Sequence, residues 1–496
     1  MIACAWILAA AAAATPPAPG AVVEKLADAT RTDLTFDGPV LGLTVVRKGE
    51  NRGSILVLVG PPEKKKDASP CGTEPAIEEK PRREAKLFGW DPEHPETLVP
   101  LGRDLPLGTL DTADLDGDGT DEIVLYTESG IDELVVDGEA KTTTVRELVA
   151  GALAPLPDED GEDHELRAVS FGSMTTYRRG TTQALRPVSD VELPIRVERR
   201  AESVRVRTLS VHPVARGTDG RVRFAGALER IPDQRRLRLV LLDPDGPKDA
   251  ASIEAWARFP GRERALEHTV ALLDGVPVLV VLTTTADKLS LFGEKKLRIF
   301  PLAPDRTRSG VAPLFADETG INLWQGTSPE ILDLDKDGHE DLVLVYWKGL
   351  KDTIAALEVR RRNADGTFAR AKTLTFDVTD GDRGSTFYGR DLDGDGRPDL
   401  ALRAAETLLV YPGSPPAEAI DRPVGKAPSR RIPLPSGLGA VVDETMSFGP
   451  EGLSVDRNVA DPRLPRFADL DGDGRVEAIF TGGSGTAGRV AIVRFR

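Results

Sequence analysis

Short apolar runs set between turn-forming stretches dominate this chain. Ile123-Val124-Leu125-Tyr126, Leu342-Val343-Leu344-Val345-Tyr346 and Leu400-Ala401-Leu402 are rich in strand formers and too short for helices. Turn formers are spread evenly, with 48 Gly and 38 Pro, and no long helix-period segment stands out. The pattern predicts an all-β protein with many turns.

Each of those runs follows a copy of one acidic loop. The copies are Asp114-Leu115-Asp116-Gly117-Asp118-Gly119, Asp333-Leu334-Asp335-Lys336-Asp337-Gly338, Asp391-Leu392-Asp393-Gly394-Asp395-Gly396 and Asp469-Leu470-Asp471-Gly472-Asp473-Gly474. A further carboxylate stands at position nine: Glu122, Asp341, Asp399 and Glu477. Alternate carboxylates at this density repel unless a cation sits between them, and all-oxygen donors suit Ca²⁺. Positions one, three, five and nine are expected to ligate through side chains. Position seven (Thr120, His339, Arg397, Arg475) is expected to offer its backbone carbonyl. Leu at position two reads as an apolar peg, and Gly at position six as the sharp turn around the ion. Up to four Ca²⁺ sites follow.

The loop is not an EF-hand. That motif needs a bidentate Glu at position twelve and flanking helices. Position twelve here is Leu125, Leu344, Leu402 and Phe480, inside strand-like runs. Pro398, at position eight of the third copy, also argues against continuous pairing there. Each loop is therefore expected to join two strands.

Copies start at 333, 391 and 469, a spacing that fits a unit of four short strands, the size of a propeller blade. The longer interval after 114 contains a ligand-stripped copy. Asp274-Gly275 keeps the turn and Val278–Val281 the strand, but positions one, three and nine are Val270, Leu272 and Val278. One more unit is expected near residue 190, and a weak copy starts at Asp33-Leu34-Thr35-Phe36-Asp37-Gly38. Seven units result, with six or eight as the neighbouring counts. The segment after Asp469 is shorter than a blade, so a strand near Leu41–Val46 or Ile55–Val59 is expected to complete it and remove an open edge. Pro61–Ala85 is Pro-, Lys- and Glu-rich and reads as a mobile loop, and Pro412–Gly437 as a surface connection.

The formal net charge is −16 over 496 residues, with the acidity concentrated in the loops. That balance argues against nucleic acid as a partner. Residues 1–20 read as a signal peptide, with an apolar Ala-rich run ending at Thr15-Pro16-Pro17 and no basic n-region; the run is too short to span a membrane. Export to the periplasm, cell surface or medium follows. Cys71 is then the sole mature cysteine, so no intrachain disulfide forms.

The Asp-Leu-Asp-Gly-Asp-Gly-x-x-Asp loop followed by an apolar strand resembles the FG-GAP repeats, of the bacterial VCBS type, found also in integrin α propellers. Asn363-Ala364-Asp365-Gly366-Thr367-Phe368 resembles that family's turn between repeats. The resemblance covers about 320–496 and 107–130. It implies a seven-bladed β-propeller, here a single domain over 30–496, with Ca²⁺ in loops between blade strands. The ions would be structural and the propeller surface would do the binding.

No nucleophile motif is visible. Gly483-Ser484-Gly485-Thr486-Ala487-Gly488 satisfies G-x-G-x-x-G, but a strand follows it at once, so it reads as a hairpin loop. His94, His164, His212, His268 and His339 show no metal-ligand pairing. Trp90, Trp256, Trp324 and Trp347 read as core or inter-blade packing before a sugar-stacking platform. The resulting expectation is a monomeric, calcium-binding interaction or adhesion module for an extracellular protein or glycan. The alternative is an extracellular carbohydrate-active lyase or hydrolase with its site on the propeller face.

Overall fold

The computed structural model describes, apart from short breaks, residues 19–61, 83–147, 154–192, 210–258, 264–301, 315–319, 327–377, 386–438, 445–456 and 466–496. Residues 1–18, within the expected signal peptide 1–20, and most of 61–85, the expected mobile loop, lie outside the described residues. Among the described residues nearly all regular structure is β, the exception being one short helix, Pro416–Ala419. No helix among the described residues is long and apolar enough to cross a membrane.

Eight sheets of four or five strands follow one another along the chain. The first (40–106), second (109–147), third (154–192), fourth (210–258), fifth (264–319), sixth (327–377) and seventh (386–433) are four-stranded antiparallel meanders in sequential order. The closing sheet has five strands. Arg466–Ala468, Glu477–Ser484 and Ala487–Phe495 pair in turn, and Ala29–Phe36 then Gly20–Lys25 extend the far edge. A small hairpin, Thr445–Gly449 with Gly452–Asp456, precedes it. The arrangement is propeller-like: the first strands of successive sheets lie against one another, as Arg264–Leu273, Thr327–Leu332 and Thr386–Arg390 do.

The continuous apolar runs are explained by sheets covered on both faces. Side chains alternate across a strand. Leu342, Leu344 and Tyr346 therefore pack with Val278 and Val280 of the fifth sheet. Val343 and Val345 pack with Leu400 and Leu402 of the seventh. The same scheme joins the seventh to the closing sheet through Ala401 and Phe480. Leu34, Ile479 and Ile492 continue it from the closing sheet to Val57 of the first.

Three expectations change. Eight sheets stand where seven units were counted, because the third and fourth sheets both fill the interval in which one unit near residue 190 was expected. Neither carries a loop with the Asp-x-Asp-x-Asp-Gly spacing to mark it; the connection 155–165 of the third is acidic without that spacing. The strand that completes the closing sheet is Ala29–Phe36, in register with Ala487–Phe495. Leu41–Val46 and Ile55–Val59 belong to the first sheet. The segment Pro412–Gly437 is more than a surface connection: Arg430–Pro433 is a fourth strand, and Ala419 and Val424 are buried in the core between the sixth and seventh sheets.

The closing sheet gives a direct test. Leu34 is fully buried between the closing and first sheets, whereas Val22 on the outermost strand is 64% exposed. Leu34→Ala should cost about 3 kcal/mol in chemical denaturation. Val22→Ala should stay within about 0.5 kcal/mol of the parent.

Candidate metal centres

All four acidic loops occupy one position in the fold, between the first and second strands of the second, sixth, seventh and closing sheets. Position nine is in every case the first residue of the second strand. The ligand-stripped copy keeps this place: Arg264–Leu273 and Val276–Thr284 pair around it, while Asp274 and Gly275 lie outside the described residues. The position-two leucines are buried at 0–4% exposure. So are Leu125, Leu344, Leu402 and Phe480, the residues an EF-hand would need as Glu.

In each loop, positions one, three and nine converge. Asp114, Asp116 and Glu122 bring carboxylate oxygens within 4.8 Å of one another, as do Asp333, Asp335 and Asp341. Asp391, Asp393 and Asp399 do the same, and so do Asp469, Asp471 and Glu477. The position-one carboxylate accepts loop amides: Asp391 takes those of Gly394 (2.7 Å), Asp395 (3.1 Å) and Gly396 (2.7 Å). Position nine accepts the amide of the leucine peg, at 2.6 Å from Leu115, 3.2 Å from Leu334, 2.8 Å from Leu392 and 2.8 Å from Leu470.

Position five stands outside these groups of three. The carboxylates of Asp118, Asp337, Asp395 and Asp473 accept the backbone N–H of Thr120, His339, Arg397 and Arg475 at 2.8–2.9 Å. Arginines stand on the outer oxygens. Arg361 reaches Asp335 and Asp337, both at 3.0 Å, and Arg397 pairs with Asp395. Arg494 reaches Asp471 at 3.2 Å and Glu477 at 2.9 Å. Arg179 of the third sheet sits 3.9 Å from Glu122 and 2.9 Å from Glu133.

Asp341 and Asp399 are each 1% exposed. Burial pushes both carboxyls up to about 6; two backbone N–H groups pull each down, and the carboxylates at positions three and five push it up again. Burial also raises Glu477 and Glu122. Three crowded oxygens with a desolvated anion at their base are an arrangement whose charge a divalent ion could answer.

The turn expected at position six is present at Gly338 and Gly396, while Gly119 and Gly474 lie outside the described residues; a further left-handed residue precedes it at position four. Position four has positive φ in all four copies: Gly117 at 79°, Lys336 at 58°, Gly394 at 82° and Gly472 at 72°. Position six shares it at Gly338 (87°) and Gly396 (79°). Among these loop positions Lys336 carries a Cβ where the others are glycine, which costs about 1–2 kcal/mol.

Residues 333–402 match the FG-GAP-like repeat family. This segment is similar to an FG-GAP-like repeat. Among solved structures, the chain is similar to the WD40 domain of SCAP from fission yeast, 10% identical over 96% of this chain and 98% of that one, with a TM-score of 0.44. It is also similar to BBS1N in complex with ARL6DN, at 12% identity over 78% and 91% and a TM-score of 0.38. A protein from Lactobacillus plantarum gives 15% identity over 78% and 98%, with a TM-score of 0.33. No curated protein matches the chain. Within the matched segment, Asn363–Phe368 is a hairpin turn joining the third and fourth strands of one sheet. Asn363 N–H donates to Thr367 O at 2.8 Å, and Asp365 accepts from the Thr367 N–H at 2.9 Å.

The remaining candidates are ordinary. Gly483–Gly488 lies in the hairpin where Ser484 pairs with Ala487. Trp90 is core, its indole N–H donating to Pro95 O at 2.9 Å. The side chains of Trp256, Trp324 and Trp347 lie outside the described residues, as do those of His164, His212 and His268. His339 is half-buried. His94, which showed no ligand spacing in sequence, gathers with Asp91 and Glu93 in one exposed turn. That turn is accounted for by its own bonds, Glu93 N–H to Asp91 Oδ1 at 2.9 Å and His94 N–H to Asp91 O at 3.1 Å.

Two measurements check this geometry. Lys336→Gly should be about 1 kcal/mol more stable than Lys336→Ala, since both remove the charge and only one removes the Cβ. In chelator, Asp341 and Asp399 hold protons more tightly folded (about 6) than unfolded (3.8). The folded state then binds more protons between those values, so this contribution to stability falls as pH rises through the window. The melting temperature in chelator should therefore be higher at pH 5 than at pH 7, by scanning calorimetry.

Proposed function

We propose that the chain is a calcium-staked β-propeller of eight blades that acts as an interaction module, its ions holding the blades and its surface meeting a protein or glycan partner outside the cytoplasm. The observation that carries this reading is the fourfold recurrence of one three-carboxylate group at one place in the sheet. A single acidic turn would mean little; four that share the position-nine bond to the leucine amide, three of them with a buried carboxylate there, support a metal site. The donors are all oxygen, from carboxylates in flexible loops, which favours Ca²⁺ over metals that want nitrogen or sulfur. Asp114, Asp116 and Glu122 and their counterparts would hold the ion, with position five (Asp118, Asp337, Asp395, Asp473) closing on it from the loop side. The bound charge would let the buried position-nine carboxylates stay ionised at neutral pH.

The structural role follows from where the groups sit. Each ion would fix the entry of a blade's second strand, so the loops would act as stakes and the binding would belong to the surfaces they hold in place.

Calorimetry with and without chelator tests the reading. Ca²⁺ at 100 times its Kd should stabilise the chain by about 2.7 kcal/mol per filled site. Asp393→Ala should lower the calcium stoichiometry by one, and Asp274→Ala should leave it unchanged. The absence of any melting shift would overturn the calcium assignment.

A further inference from the structure

Two of the arginines on the acidic loops stand at one equivalent place. In the sixth sheet Leu342 pairs with Arg360, so the next residue, Arg361, runs alongside Asp341 at position nine. In the closing sheet Ala478 pairs with Val493, and Arg494 runs alongside Glu477. The matching residue in the seventh sheet is Pro412, one beyond the Leu400–Tyr411 pair. In the second sheet it is Val135, one beyond the Ile123–Leu134 pair. Each arginine spans two loop carboxylates: Arg361 spans Asp335 and Asp337, and Arg494 spans Asp471 and Glu477. Both are partly exposed, at 47% and 37%, so a swing into water is open to them. Asp391, Asp393 and Asp399 form no ion pair with an arginine among the described residues; Arg397 bonds only Asp395.

We propose that Arg361 and Arg494 are built-in counter-cations that occupy the ion-free loops at 333 and 469 and compete with the divalent ion for them. This rests on the calcium reading above and adds a ranking to it. The loop at 391, with proline at the equivalent place, fills before those at 333 and 469. The loops at 333 and 469 must release a guanidinium before or as the ion enters. A guanidinium left about 5 Å from a divalent ion would weaken its binding at least tenfold even in a water-like dielectric. The same arginines neutralise the loops without metal, which keeps these two blades folded when calcium is scarce.

Arg361→Gln and Arg494→Gln in the full chain separate the two roles. Isothermal titration of the parent with Ca²⁺ should show two weaker sites, those at 333 and 469, at least tenfold below the tightest class. Each variant should tighten one weaker site by about tenfold. In chelator each should melt below the parent, so its calcium-induced melting shift grows. Arg361 is half-exposed, so its variant serves even where Arg494→Gln fails to fold. Asp393→Ala should remove a site from the tightest class. Parent binding with no change in either arginine variant would overturn the competition and leave the calcium reading standing. An absence of binding in every form would overturn both.

Discussion

A buried carboxylate at the start of a strand is the constraint on which the acidic half of the structure depends. Asp341 accepts the amide of Leu334 on one oxygen and that of Arg362 on the other. Asp399 does the same with Leu392 and Gly413, and Glu477 with Leu470 and the Arg494 side chain. One group thus ties the loop's first turn, the second strand and the end of the third. A desolvated anion is costly unless its oxygens are fully satisfied and its charge is answered. Backbone donors meet the first condition. The second falls to whatever positive charge the loop admits, and that requirement shapes everything above the carboxylate.

The choice of Asp or Glu at position nine follows from the same geometry. The two aspartates reach backbone amides of their own sheet, Arg362 and Gly413. The two glutamates, one methylene longer, meet guanidinium groups instead, Arg179 from a neighbouring sheet and Arg494 from the same one. Two chemistries therefore complete one architectural node.

The strands and acidic loops were legible because both have short-range signatures. Alternation and turn residues mark a strand within ten residues, and four identical loops announce themselves. The third and fourth sheets were not, for a physical reason: they carry no loop with the repeated ligand spacing, the acidic connection 155–165 included. Strands such as Ser173–Arg179, Ser-Met-Thr-Thr-Tyr-Arg-Arg, pair through their backbones while offering a mostly polar sequence. The convergence of positions one, three and nine followed from spacing. The exclusion of position five did not, because it depends on backbone amides that fold the side chain back on its own turn. Nor did Arg494, whose approach to Glu477 is set by the register of a hairpin. Leu41–Val46 and Ile55–Val59 were good strands assigned to the wrong sheet, since partner choice over hundreds of residues leaves no local trace.

The pairing of Ala29–Phe36 with Ala487–Phe495 has a consequence in time. Every other sheet is local and can form as soon as its own four strands exist. The closing sheet must hold open the apolar face of Leu34 and Phe36 until a stretch more than 450 residues downstream has been made. Loop closure over that distance is among the slowest kinds of contact a chain can make. Until then the early strands are an exposed edge and the late sheet is incomplete. Assembly is thus governed by a single late event, in which the first strands of the fold wait for its last.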